Sequence, residues 1–266
     1  MDRPGAIVAS DWNPELYRRY EDQRTRPARE LLARVPLERA GVVYDLGCGP
    51  GNSTELLVER FEGAEVVGTD NSEAMLTSAR VRLPSVRFER SDIASWQPAR
   101  APDLIYANAA LQWVGDHGAL FPRLFAMLAP GGVLAVQMPD NREESTHRLM
   151  REVSAEAPWS THVADAVRLR TPILALNDYY DLLAGDAADI DVWRTAYQHP
   201  MDTPEAIVEW VRGTGLRPFV DALPPDERAG YLAEYTRRID IAYPKRADGR
   251  RLLAFPRLFI IARRRT

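Results

Sequence analysis

Three carboxylates and three glycines stand at spacings suited to binding, and nothing beside them is suited to moving a proton. In the stretch VVYDLGCGPGN, from Val42 to Asn52, Asp45 leads into Gly47, Gly49 and Gly51. The glycines let the backbone turn sharply and let a ligand approach with no side chain between. A carboxylate at this point repels a pyrophosphate, so the loop suits a ligand that carries cationic groups. The spacing is Gly-x-Gly-x-Gly; Asn52 stands where the third glycine of a nicotinamide dinucleotide loop belongs. Asp70 follows 23 residues after Gly47. That is close to the interval of about 20 at which an acid ending a second strand meets ribose hydroxyls, whatever the adenosine cofactor. Cys48, the one cysteine, lies inside the loop. It is read as a small residue filling a tight turn rather than as a nucleophile. No metal site and no acid–base pair are expected, so any catalysis must work by positioning.

The elements that position these residues follow from periodicity. Val42, Val43 and Tyr44 are an apolar run long enough for a buried strand, and STELLVERF behind the glycines has helical spacing. AEVVGTD is a second strand ending at Asp70, and Asn71 and Ser72 cap a helix whose Met75 and Leu76 face inward. SVRFERSDI is a short third strand with Asp92 in the loop after it. Leu104 to Ala107 form a fourth strand, and Asn108 to Trp113 leave its carboxyl end, the ligand edge of an open α/β sheet. A helix over HGALFPRLFAMLAPGG and a strand over GVLAVQMPD complete a doubly wound core. Beyond Asn141 the chain reads as helices and an irregular stretch, then two further strands, DIDVWRTAYQH and LLAFPRLFIIARRR, with helices between them. The expected division is an N-terminal helical lid over 1–34 and a cofactor-binding core over 35–140. Residues 141–266 supply a helical cap over the carboxyl edge and the last two strands of a seven-stranded Rossmann-like α/β sheet. Before the core, Trp12 to Leu32 is helical in pattern, with Pro27 able to open a second helix.

Composition narrows the partners. The 266-residue chain is 45% hydrophobic with a net charge of −4, which argues against a nucleic-acid partner held by bulk electrostatics. No stretch approaches ~18 uninterrupted apolar residues, and the N-terminus lacks a signal core, so a cytoplasmic protein without a membrane partner is expected. Of the 34 basic residues only Lys245 is a lysine. Arginine can grip a carboxylate with two parallel bonds.

The segment DLGCGPGN resembles the first motif of class I S-adenosylmethionine-dependent methyltransferases, and MLAPGG before a strand is similar to their LLxPGG run. S-adenosylmethionine carries an ammonium and a sulfonium, the cations an acidic glycine loop suits. WNPELY, RTRPARELLARVPLE, LQWVGDH, THRLMREV, WRTAYQH, TGLRPF and LLAFPRLFIIARR resemble the trans-aconitate methyltransferase family within that class. The resemblance implies S-adenosylmethionine as cofactor, trans-aconitate, a small tricarboxylate, as substrate, and a monomethyl ester as product. It implies cofactor roles for the loop Gly47, Cys48, Gly49, Gly51 and Asn52. It also implies Asp45 at the methionine end, Asp70 on the ribose with Asn71 and Met75 beside it, and Asp92 and Ile93 on adenine. Asn108 and Ala109 would then lie near the sulfonium.

A tricarboxylate needs partners for the two acid groups that do not react, and arginine forks fit best. The candidates are Arg26, Arg217 and Arg257, with Tyr179 and Trp193 as donor or wall, Tyr17 on the N-terminal helix, and Gln112 and Trp113 at the reacting edge. Arg257 stands out within the apolar LLAFPRLFII. His117 and His199 are assigned no proton. The competing readings are a methyltransferase for another acid or a hydroxyl, a nicotinamide oxidoreductase, and a binding module without catalysis.

Overall fold

The apolar runs pair into one sheet. In the computed structural model, which describes residues 21–163, 173–212 and 215–266, seven strands stand in the order β3-β2-β1-β4-β5-β7-β6. These are β1 (Val42–Leu46), β2 (Glu65–Asp70), β3 (Arg87–Arg90), β4 (Leu104–Asn108), β5 (Val133–Pro139), β6 (Ala187–Met201) and β7 (Arg251–Arg264). The first five are parallel, and β7 and β6 run antiparallel to their neighbours. Parallel strands are buried on both faces, and β1, β4 and β5 accordingly read as near-continuous apolar runs.

The helices follow as α1 (Glu21–Ala33), α2 (Asn52–Arg60), α3 (Glu73–Arg82), α4 (His117–Ala126), α5 (Ser145–Ser154), α6 (Leu176–Ala184), α7 (Pro204–Arg212), α8 (Arg217–Asp221) and α9 (Arg228–Ala242). Alternation along the strands divides the core. Leu134, Val136 and Met138 point to the side covered by α4 and α6. Val133 and Ala135 point to the side covered by Ala28, Leu31 and Leu32 of α1. The helix α1 runs straight through Pro27 instead of beginning there. The burial of its apolar face outweighs the lost backbone bond. Tyr106 of β4 donates from its hydroxyl to the Ala28 carbonyl at 2.6 Å, which fixes α1 against the sheet. The part of the expected lid before residue 21, including Tyr17, lies outside the described residues.

β6 and β7 are the longest strands and overrun β5. Pro139, the last residue of β5, pairs with Arg257, but the β6–β7 pairing continues to Met201 and Arg251. On this overhang a second core assembles from α5, α7, α8 and α9, with Trp210, Tyr231, Tyr235, Leu253 and Phe255 buried in it. The sequence reading missed the five-residue α8, which is too short to show a period. Among the described residues no helix is long and apolar enough to cross a membrane.

Candidate active site

Strand order reverses between β1 and β4: the chain moves outward through β2 and β3, then returns to the other side of β1. The crevice at such a switch point, outside the carboxyl ends, is where open α/β sheets bind ligands. Asp45, Asp70, Asp92 and Asn108 all stand at that edge.

Asp45 is fully buried, and its Oδ2 accepts from Ser53 Oγ and Thr54 Oγ1, each at 2.7 Å, while Oδ1 has no hydrogen-bond partner. Burial pushes its carboxyl up to about 6; the two hydroxyls oppose that and Asp70 adds to it. Ser53 and Thr54, the first turn of α2, were not singled out by the sequence reading, although two hydroxyls following the glycine loop were a visible signal. Gly47, Gly49 and Gly51 all have positive φ. A Cβ on Gly47 would stand 2.4 Å from that of Ala110, so the β1 and β4 loops abut there. A Cβ on Gly49 would meet nothing within 4 Å, so the loop is open on that side. Asp70 accepts from the Gly49 amide at 3.0 Å and the Ser72 amide at 2.9 Å, tying the glycine loop to the start of α3. Burial raises its pKa and these amides oppose the rise.

Cys48 is buried, its Sγ 3.1 Å from where a Gly68 Cβ would be. Burial, with Asp45 and Asp70 nearby, pushes the thiol far above its ordinary range, so it is a poor nucleophile. Asn52 opens α2. Ser72, not Asn71, is the cap of α3; it accepts from the half-buried Met75 amide, and the exposed Asn71 offers its carbonyl to Arg90. Asp92 is exposed and accepts from the Ala94 amide at 2.9 Å, a local turn bond. Ile93 packs toward the glycine loop, its Cδ1 3.6 Å from the position of a Gly47 Cβ.

At the end of β4 the backbone is strained. Ala109 has φ 54, a left-handed conformation rare for a residue with a side chain, and such strain gathers at functional sites. Its amide donates to the Gln137 carbonyl at 2.9 Å, and its carbonyl accepts from Gln112 Nε2 at 2.7 Å. Asn108 Oδ1 and Gln112 Oε1 are buried without hydrogen-bond partners. Trp113, in the same short turn, is 54% exposed.

The substrate candidates divide. Arg257 is buried, with its guanidinium 4.6 Å from the Phe255 ring. Arg26 reaches the same neighbourhood from α1: it pairs with Glu30 at 2.7 Å and lies 4.9 Å over the Tyr197 ring, whose hydroxyl donates to Glu30 at 2.5 Å. Burial first, then the charges of Arg257 and Arg26, lower the His199 pKa to about 4, so that ring is neutral at pH 7. Trp193 stacks on Phe259 at 4.6 Å and lies under the Arg34 guanidinium. Arg217 pairs with Asp221 one turn along α8, at 3.1 Å. Tyr179 is a correction. It is fully buried, and its hydroxyl contacts His117 Nδ1 at 2.5 Å and accepts from the Leu174 amide. It therefore props His117, which in turn meets the Leu111 carbonyl next to Gln112, and offers no free donor to a substrate. Among the described residues no His, Cys, Asp and Glu cluster could hold a metal.

Residues 17–218 match the family model described as a methyltransferase domain. The fold is that of methyltransferases as well. The chain superposes on phosphoethanolamine N-methyltransferase 2 of Haemonchus contortus with a TM-score of 0.55 at 18% identity, over 91% of this chain and 53% of that one. On the YcgJ protein of Bacillus subtilis the TM-score is 0.60 at 13% identity, over 91% and 99%. Sequence relatives are much nearer. The chain is 72% identical to a trans-aconitate 2-methyltransferase of Variovorax paradoxus over 96% of its length and 99% of the relative's. It is 61% identical to one from Delftia acidovorans, over 96% and 99%, and 54% to one from Yersinia pestis, over 95% and 98%. The chain belongs to the trans-aconitate 2-methyltransferase family.

Proposed function

We propose that this protein transfers a methyl group from S-adenosylmethionine to a carboxylate of trans-aconitate, giving the monomethyl ester. The near full-length identity to enzymes of that name supports the substrate. The single geometric observation that carries the reading is the strained turn at Ala109. It lies between the three-acid edge of β1–β3 on one side and the buried Arg257 on the other.

The residues present fit the cofactor. The open side of Gly49, the partnerless Asp45 Oδ1 and Asn108 Oδ1, and the carboxylate of Asp70 offer a cleft rich in acceptors for a ligand with two cations and a ribose. S-adenosylmethionine supplies the methyl on a sulfonium. Asp45 holds the methionine end, Asp70 takes the ribose hydroxyls, and Ile93 packs on adenine with Asp92 beside it. The residues Asn108, Ala109 and Gln112 shape the place where acceptor and methyl meet. The substrate carboxylate is ionised at neutral pH and needs no base. The task is alignment, which can lower a barrier by about 7–11 kcal/mol. Arg257 holds an acid group that does not react, and Arg26 lies within reach of the same face.

The test is radiolabelled methyl transfer to a panel of di- and tricarboxylates, beside calorimetry with S-adenosylhomocysteine. The expected result is turnover greatest on trans-aconitate. Cofactor binding without transfer to any acid would reject the substrate, and absence of cofactor binding would reject the reaction.

A further inference from the structure

A glutamine in the middle of a buried parallel strand needs a reason. In β5, VLAVQMP, the neighbours of Gln137 are apolar and buried, and Gln137 itself is 0% exposed. Neither its Nε2 nor its Oε1 has a hydrogen-bond partner. A buried amide left so destabilises the fold, and a methionine would fill the same volume without that penalty.

The register shows what surrounds it. Gln137 is the cross-strand partner of Asn108 on β4 and of Phe259 on β7. Side chains alternate along a strand, and Val133 and Ala135 face α1, so Gln137 faces α1 as well. Arg257 pairs with Pro139, two residues beyond Gln137, and so lies on the same face. Diagonal cross-strand neighbours sit roughly 7–8 Å apart, a gap that long side chains reach into from both ends. Among the described residues, Asn108, Gln112 and Asn141 each leave only a carbonyl oxygen without a hydrogen-bond partner. Gln137 also leaves a donor unmet. An N–H donor beside a guanidinium is the chemistry of a carboxylate site.

We infer that Gln137 is a substrate-orienting residue, its amide donating to the acid group that Arg257 grips. This rests on the methyltransferase reading above and adds to it. Arg257 supplies the charge, and Gln137 supplies a neutral donor one strand nearer the strained Ala109 turn, to which it is already joined through its own carbonyl. Together they would fix the rotation of the acid, so that a different carboxylate points at the methyl.

Two variants of the full chain test this, Gln137→Met and Gln137→Glu. For Gln137→Met the expected result is a rise of about tenfold or more in KM for trans-aconitate. The Kd for S-adenosylhomocysteine should stay within about twofold, and the melting temperature should be unchanged or higher. Gln137→Glu keeps the shape but presents a carboxylate to an anion, so its rise in KM should be larger and should shrink as the pH is lowered. Wild-type KM in a stably folded Gln137→Met protein overturns the inference. If that variant does not fold, unchanged KM in Gln137→Glu overturns it. A wild-type enzyme inactive on trans-aconitate removes the underlying reading and the inference with it; an active wild type with indifferent variants removes the inference alone.

Discussion

The two halves of the carboxyl edge are built differently. On the β1–β3 side the polar groups are held by their near neighbours in sequence. Asp45 is held by Ser53 and Thr54, and Asp70 by Ser72 and, across a strand, by Gly49. On the β5–β7–β6 side the groups come from residues 26, 137, 197 and 257, which lie far apart in sequence. The first half is shaped before a ligand arrives. The second brings together groups from α1, β5, β6 and β7, with Arg26 and Tyr197 both on Glu30. On the proposed reading, the ligand shared by many enzymes meets a local motif, and the ligand particular to one family meets contacts between distant parts of the chain.

The strongest way to break the first half is Gly47→Ala. The added Cβ would collide with Ala110 and sit at φ 70. Overpacking and left-handed strain together should destabilise by roughly 2–5 kcal/mol. Thermal denaturation reads this directly; an unchanged melting temperature would mean that the two loops separate freely.

Asp45→Asn sharpens the contrast by separating stability from binding. The folded protein holds the Asp45 proton more tightly than the unfolded chain does, with a value near 6 against the ordinary 3.8. The ionised group therefore destabilises the fold at neutral pH. That penalty fades as the pH falls through about 6 and is gone near 4. The asparagine variant should be more stable than wild type at pH 7 by up to about 3 kcal/mol, with the two curves meeting near pH 4. It should also bind S-adenosylhomocysteine less well. A pH-independent gap would show that burial is not what perturbs Asp45.

Asp70→Ala should weaken S-adenosylhomocysteine binding by roughly 1.5–3 kcal/mol, the scale of a charged hydrogen bond. Unchanged affinity by calorimetry would remove Asp70 from the site.

Arg257→Lys probes the other half. It keeps the charge and loses the planar fork, so KM for trans-aconitate should rise about tenfold, or ~1.4 kcal/mol, with cofactor affinity intact. The handicap should shrink on an analogue lacking one carboxylate. Equal handicaps on both substrates would make Arg257 structural.

This contrast also decides what could be read without coordinates. Strand–loop–helix order, all seven strands and the acids at Asp45 and Asp70 were legible, because apolar periodicity and glycine spacing are local signals. Pro27 misled the reading of α1, since tertiary burial of Leu31 and Leu32 overrode a local rule. Tyr179 looked like a free hydroxyl because the sequence does not show that His117, 62 residues away, uses it. Gln137 was passed over within an apolar run, although a lone amide there is itself a signal. The proximity of Arg26 to Tyr197 depends on α1 docking across the sheet, and no spacing encodes that.

The overhang of β6 and β7 has a mechanical consequence. Domain closure elsewhere relies on a few linker residues that absorb a change of φ and ψ. Here the second core is mounted on two strands that leave the main sheet without interruption, paired rung by rung from Thr195 and Arg257 to Met201 and Arg251. The one register irregularity lies at the opposite end, at Ala187 and Asp189. This ribbon is a stiff bracket with no hinge along it. The helices it carries keep station with the sheet.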